Sequence, residues 1–212
     1  MRIKYFNQYI NKVELFAKEC MGIELTALQL TYLKKAMHGK SISLPRRSGK
    51  TIIARILTFY YACVYDYNIY YVANTKAMTK EFEELIWKDI YKYECFCLFW
   101  NKRRPVVLNE TKFDNGVKLY SLIPVEFIKY TRNNGRYNYF ENSMVICDEY
   151  SDCKRHNPVF VTTLNQFKSL NDYVIIDTMK ISELKAKLFM NNSMILQVDK
   201  AINNKAIELL EI

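Results

Sequence analysis

Apolar and polar positions along this 212-residue chain change period several times, and each change predicts an element. Between residues 5 and 20, Phe6, Tyr9, Ile10, Val13, Phe16 and Ala17 recur at helical spacing with charged residues between them, which predicts one amphipathic helix leaning on a core. A second helix begins near Thr26, a plausible N-cap, with Gln29 three positions on completing a capping-box spacing. Ser41–Leu44 reads as a short strand and Thr51 to about Tyr65 as a helix apolar on most faces, the pattern of a helix pressed between a sheet and other elements. Ile69–Ala73 is a buried strand, after which Asn74 or Thr75 caps a helix with Met78, Phe82, Leu85, Ile86 and Ile90 on one face. Asn115-Gly116, between the apolar stretches Val106–Leu108 and Leu119–Ile123, signals a tight β-hairpin. The polar segment Thr131–Arg136 reads as a surface loop. Beyond it follow a strand from Met144 into Asp148, a helix over 157–168, a strand at Tyr173–Ile176, a helix from about Ile181 to Phe189, a strand at Met194–Val198 and a terminal helix from Lys200. This rhythm predicts an α/β fold, a mostly parallel sheet flanked by helices and carrying an inserted β-hairpin.

Half of the residues are hydrophobic, enough for one main domain with a substantial core. The formal charge of +9 makes polyanions the natural partner class. Six cysteines include no C-x-x-C pair, and His38 and His156 complete no zinc spacing, so reduced thiols in a cytosol are the simpler account. No apolar run is long enough for a membrane span, and a soluble, intracellular protein is expected.

Candidate chemistry concentrates first in Leu44-Pro45-Arg46-Arg47-Ser48-Gly49-Lys50-Thr51, set between a short strand and a helix. In a phosphate-binding loop of this kind, backbone N–H groups face the phosphates and Gly49 allows close approach, while Lys50 spans the phosphates and the Thr51 hydroxyl reaches Mg²⁺. The following helix adds its N-terminal dipole to the anion site. The usual pattern has Gly at position 44, where this chain has Leu, and Arg46 and Arg47 lie inside the loop. Upstream, the Gln29 amide offers one donor and one acceptor, the pair needed to read an adenine edge, and its spacing serves that role and the capping role equally.

The second concentration is Met144–Glu149, an apolar run that ends in two carboxylates at the C-terminal end of a buried strand, where parallel α/β sheets collect their chemistry. Asp148 would order the Mg²⁺ shell opposite Thr51, and Glu149 would activate the water that attacks the γ-phosphate. An apolar run ending in Asp-Glu is often only a strand entering a turn. Its position downstream of a phosphate loop favours the functional reading.

The succession Thr26–Gln29, Arg46–Thr51, Val145–Glu149 and Ile175–Thr178 resembles the ATPase domain of large terminase subunits, the DNA-packaging motors of tailed bacteriophages. The resemblance spans roughly residues 20–195 and implies a P-loop NTPase of the RecA/ASCE type. It implies that ATP and Mg²⁺ are bound, with Gln29 as the adenine residue and Arg46, Arg47, Ser48, Gly49, Lys50 and Thr51 on the phosphates. Thr51 and Asp148 would hold Mg²⁺, Glu149 and Lys50 would be catalytic, and Arg46 would act in cis. Thr178 maps onto the coupling motif, although Met179 stands where a Pro is common. Arg132 and Arg136 are candidates for an arginine supplied in trans to a neighbouring subunit, with a plain basic surface contact as the alternative.

Implied partners are double-stranded DNA gripped non-specifically by its backbone, a portal protein and a small terminase subunit, in a ring homo-oligomer that is monomeric in isolation, in the host cytoplasm and without a membrane. Lys102, Arg103 and Arg104 are the most concentrated charge outside the phosphate loop and the first choice for a DNA contact. The expected organisation is an N-terminal helical segment over 1–40 carrying Gln29 and an ATPase core over 41–212, without a nuclease domain. Two other readings stay open, a helicase-like nucleic-acid translocase, which would need a second lobe, and a non-catalytic nucleotide-binding module.

Overall fold

A computed structural model describes residues 6–37, 41–45, 47–97, 110–113, 115–133, 142–168 and 172–178. The chain divides into two compact units, Met1–Asp177 and Thr178–Ile212, and of the second only the backbone of Thr178 is described. In the first unit, a 3₁₀ turn at Asn7–Tyr9 precedes α1 (Val13–Met21) and α2 (Ala27–Met37). Then come β1 (Ile42–Leu44), α3 (Lys50–Val64), β2 (Asn68–Val72), α4 (Lys76–Lys92) and the short α5 (Glu94–Cys97). They are followed by β3 (Glu110–Lys112), β4 (Lys118–Leu122), α6 (Pro124–Asn133), β5 (Ser143–Asp148), α7 (Tyr150–His156), α8 (Pro158–Lys168) and β6 (Asp172–Thr178).

The six strands form one sheet in the order β1-β6-β5-β2-β4-β3. β2 runs parallel to both β4 and β5, and β5 runs parallel to β6, whereas β3 joins β4 antiparallel. This is the mostly parallel sheet with an inserted hairpin that the alternation predicts. The hairpin turn is built at Asn115-Gly116: Gly116 has φ +89°, and the Phe113 and Val117 backbones close on each other at 2.7 Å.

Alternation of side chains divides the core between the two faces of the sheet. Ile69, Tyr71, Met144, Ile146, Val174 and Ile176 pack with Phe16, Leu33, Ile53, Leu57 and Phe82 of α1 to α4. Tyr70, Val72, Val145, Cys147 and Ile175 pack on the other face with Phe127, Cys153, Phe160 and Leu164 of α6 to α8. Every residue of β5 is buried, as expected of a parallel strand covered on both sides.

Two expectations change, and one helix was not expected. The helix expected over 5–20 is interrupted: Asn11 takes φ +59°, and the Lys12 N–H donates to Tyr9 O, which turns the chain before α1. Asn is one of the few residues that adopt this conformation readily. Thr131, Arg132 and Asn133 are not loop but the last turn of α6. Pro124 opens that helix, and the Glu126 carboxylate accepts the Ile123 N–H at 3.1 Å, a start signal two turns upstream of the polar stretch. α7, immediately after the paired carboxylates, has too short an apolar period to be anticipated. The expected elements at 106–108, 181–189, 194–198 and 200–212 lie outside the described residues, as do Arg46, Lys102, Arg103, Arg104 and Arg136.

Candidate nucleotide site

The segment Pro45–Gly49 carries the chain from β1 into α3, and its described residues are shaped by local constraints. The Ser48 hydroxyl donates to Pro45 O at 2.7 Å and closes the loop on itself. Arg47 is exposed with φ +60°, and Gly49, at φ +92°, forms the left-handed N-cap of α3. Glycine is favoured there by the backbone conformation, and a Cβ would lie 2.4 Å from Gln29 Nε2, the far end of a flexible side chain that would have to shift. Lys50 and Thr51 are the first two residues of α3, where unpaired N–H groups and the helix dipole favour an anion.

Gln29 fills the capping role that its spacing allowed. Its Oε1 accepts the Thr26 N–H at 3.0 Å and its own N–H donates to Thr26 Oγ1 at 3.2 Å, the reciprocal capping box of α2. At the same time its Nε2 donates to Ser48 O at 3.3 Å, tying α2 to the loop. A primary amide has two donors and an oxygen with two lone pairs, so capacity for a base edge is left over.

The carboxylates at the end of β5 come to the same place. Lys50 Nζ stands 2.5 Å from Glu149 Oε1, across 99 positions of sequence, with both side chains largely sheltered. Glu149 has φ +52° and serves as the N-cap residue of α7, so the chain turns sharply where β5 ends. A non-glycine residue in this region is uncommon and clusters at functional sites. Its neighbour Asp148 is 6% exposed and lies on the α3 side of β5, since it shares a face with Met144 and Ile146. Burial pushes the Asp148 carboxyl above the usual range, against the Tyr71 hydrogen bond, which lowers it.

Among the described residues, Asp148 has one side-chain hydrogen-bond partner. Its Oδ2 accepts the Tyr71 hydroxyl at 2.9 Å, and its Oδ1 is buried without a hydrogen-bond partner among the described residues. Such an orphaned oxygen is costly unless something else meets it, and a hard divalent cation is the natural complement of a carboxylate oxygen in this position. The orphaned Asp148 oxygen therefore suits Mg²⁺, and Thr51, in the first turn of α3, is the hydroxyl that the sequence pairs with it. Thr178 is the last residue of β6 and Arg132 belongs to α6.

Sequence reasoning missed three supporting contacts. Tyr71 on β2 anchors Asp148. Ser151, two residues after Glu149, donates its N–H at 3.2 Å and its hydroxyl to the Asp177 carboxylate, joining α7 to the end of β6. Arg55 of α3 forms a two-pronged ion pair with Asp89 of α4, its Nε 2.6 Å from Oδ2, in a setting where Asp89 is almost fully buried. An Asp on the otherwise apolar face of α4 was the available signal for the last. The first two required the strand order.

No helix among the described residues is long and apolar enough to cross a membrane. No protein-family model and no curated protein matches the sequence. In structure, the chain is similar to the crystal structure of the HK97 bacteriophage large terminase, with a TM-score of 0.58 at 12% sequence identity. The similarity covers 86% of this chain and 41% of that one, so the chain spans about two-fifths of the length of its structural counterpart. The chain has a terminase-like α/β fold.

Proposed function

We propose that the chain is a Mg²⁺-dependent ATPase of the large-terminase type, whose ATP hydrolysis drives double-stranded viral DNA into a procapsid. The observation that carries this reading is the Lys50–Glu149 contact: a cation at the start of the helix after β1 meets a carboxylate at the end of β5, with β6 between the two strands. Phosphate binding and water activation need these two groups at one point.

In this reading the Gly49–Thr51 backbone and Lys50 receive the phosphates, and Gln29 reads the adenine with its remaining amide capacity. Mg²⁺ held by Thr51 and Asp148 would neutralise charge on the phosphate oxygens. With the γ-phosphate engaging the Lys50 ammonium, the Glu149 carboxylate would take a proton from the attacking water. Arg46 would act in cis, Thr178 would pass the state of the site onward through β6, and Arg132 or Arg136 would serve a neighbouring subunit in a ring. DNA would be held by its phosphate backbone, with Lys102, Arg103 and Arg104 as the first contact to test; portal and small terminase subunits would be the assembly partners.

The test is phosphate release from ATP with and without Mg²⁺ in wild type, Lys50→Ala and Glu149→Gln, together with duplex binding at several salt concentrations. Mg²⁺-dependent turnover lost in both variants, and salt-sensitive binding indifferent to sequence, are expected. Wild-type turnover in Glu149→Gln would overturn the assignment.

A further inference from the structure

The Tyr71 side chain is given to one acceptor. It lies on β2 opposite Ile146 of β5, so it stands on the same sheet face as Asp148, two residues further along. Its ring is 2% exposed and stacks flat on Phe82 of α4, with centroids 3.6 Å apart and planes within 5°. From that slot its hydroxyl donates to Asp148 Oδ2 at 2.9 Å, while Asp148 Oδ1 is left buried without a hydrogen bond among the described residues.

Two features of this arrangement point away from packing alone. A tyrosine used only for its ring would be replaced by Phe without loss, whereas here the phenol oxygen reaches a carboxylate in a dry environment, where the bond is stronger than in water. A carboxylate used only structurally would be satisfied at both oxygens, because a buried acceptor without a partner costs stability. The torsion about an Asp carboxylate is soft and close to two-fold, so the group turns easily unless it is held. Mg²⁺ demands near-ideal octahedral geometry and penalises a ligand that turns.

We propose that Tyr71 is a positioning residue for the metal: by holding Asp148 Oδ2 it fixes the rotation of the carboxylate and presents Oδ1 to the divalent cation that accompanies the nucleotide. Tyr71 itself touches neither metal nor nucleotide. Phe82 extends the same device, since its ring sets the plane of the phenol. This rests on the reading of the site as one for ATP and Mg²⁺.

The experiment titrates MgCl₂ into the full chain with a fluorescent ATP analogue, after measuring analogue binding in EDTA. Tyr71→Phe keeps the ring stack and removes only the hydroxyl. It is expected to raise the Mg²⁺ midpoint by about 10-fold or more, in line with the loss of partners that orient metal ligands, while analogue binding in EDTA stays at the wild-type level. A purely structural tyrosine would move both measurements or neither. Should Tyr71→Phe fail to fold, Phe82→Leu keeps the hydroxyl but loosens its support, and a smaller rise in the same midpoint is expected. An unchanged midpoint in a folded variant, beside a wild type that needs Mg²⁺, overturns this inference alone. A wild type that binds the analogue without any response to Mg²⁺ overturns the reading of the site and this inference with it.

Discussion

Lys50 Nζ lies 2.5 Å from Glu149 Oε1, so in the proposed reading the cation that would receive phosphate is already engaged by the carboxylate that would activate water. Binding of a triphosphate in that reading would separate them. Glu149→Gln removes the competing charge, and it is expected to bind ATP more tightly than wild type while turning over at least about 10²-fold more slowly. Lys50→Ala loses both binding and turnover. Equilibrium binding of a fluorescent ATP analogue beside a phosphate-release assay separates the two; weaker binding in Glu149→Gln would mean that the contact does not oppose nucleotide.

Gln29 shares one amide between the α2 cap and the loop, which allows its roles to be separated. Thr26→Ala removes a cap partner and should cost about 1 kcal/mol of stability while leaving any preference for ATP over GTP unchanged. Gln29→Ala should lose the same stability and the preference as well. Denaturant unfolding and competition binding measure the two effects; a Gln29→Ala protein that keeps its preference leaves the residue as a cap and a loop tether.

Gly49→Ala should weaken nucleotide binding, because φ +92° is strained for a residue with a Cβ and the new Cβ would displace Gln29 Nε2, which it meets at 2.4 Å. The double variant Gly49→Ala/Gln29→Ala relieves the collision but not the backbone conformation. Only partial recovery of binding is therefore expected, measured by calorimetric titration, and full recovery would assign the glycine to close approach alone.

Arg55 and Asp89 staple α3 to α4 behind the site. Arg55→Met leaves a buried carboxylate without its counter-charge and should cost about 3–5 kcal/mol, a fall of roughly 10 °C in melting temperature for a chain of this size. Arg55→Met/Asp89→Leu should recover most of it, since an apolar pair can replace a buried ion pair of similar volume. Scanning calorimetry of both variants decides the matter: equal losses in the two would place the effect in packing instead of charge.

Asp148 imposes a stability cost when its buried carboxyl is ionised. Because burial raises its carboxyl above the unfolded value of 3.8, the folded state retains the proton over a pH range where the unfolded chain has lost it. The cost is absent below the unfolded value and develops as pH rises toward the folded one. In EDTA at neutral pH, Asp148→Asn should therefore melt above wild type, with the difference shrinking as pH falls; nucleotide with Mg²⁺ should stabilise only the wild type. Melting curves across pH test this, and a variant that melts below wild type at neutral pH would count against it.

Local pattern carried much of this molecule. The helical spacing of Met78, Phe82, Ile86 and Ile90 marked α4, Thr75 caps it by accepting the Met78 N–H, and Asn115-Gly116 marked the hairpin turn. The strand–loop–helix around Gly49-Lys50-Thr51 and the apolar run into Asp148-Glu149 are likewise contained in short windows, because periodicity and turn chemistry are properties of neighbours along the chain. The same locality explains the errors: a positive φ at Asn11 breaks an otherwise continuous helical period, and the start signal for α6 lies at Pro124 and Glu126, outside the polar stretch that looked like a loop.

What the sequence by itself determined is therefore most of the described strands, several of the helices and the two segments rich in candidate chemistry. Tertiary structure decided which of those residues meet. Lys50 and Glu149 are 99 positions apart, and Tyr71 and Asp148 are 77 apart. Their contacts follow from the order β1-β6-β5-β2 and from the register that sets Tyr71 against Ile146. Strand order is chosen by burial of both sheet faces and by the connections between strands, a balance over the whole domain that no single window of sequence contains.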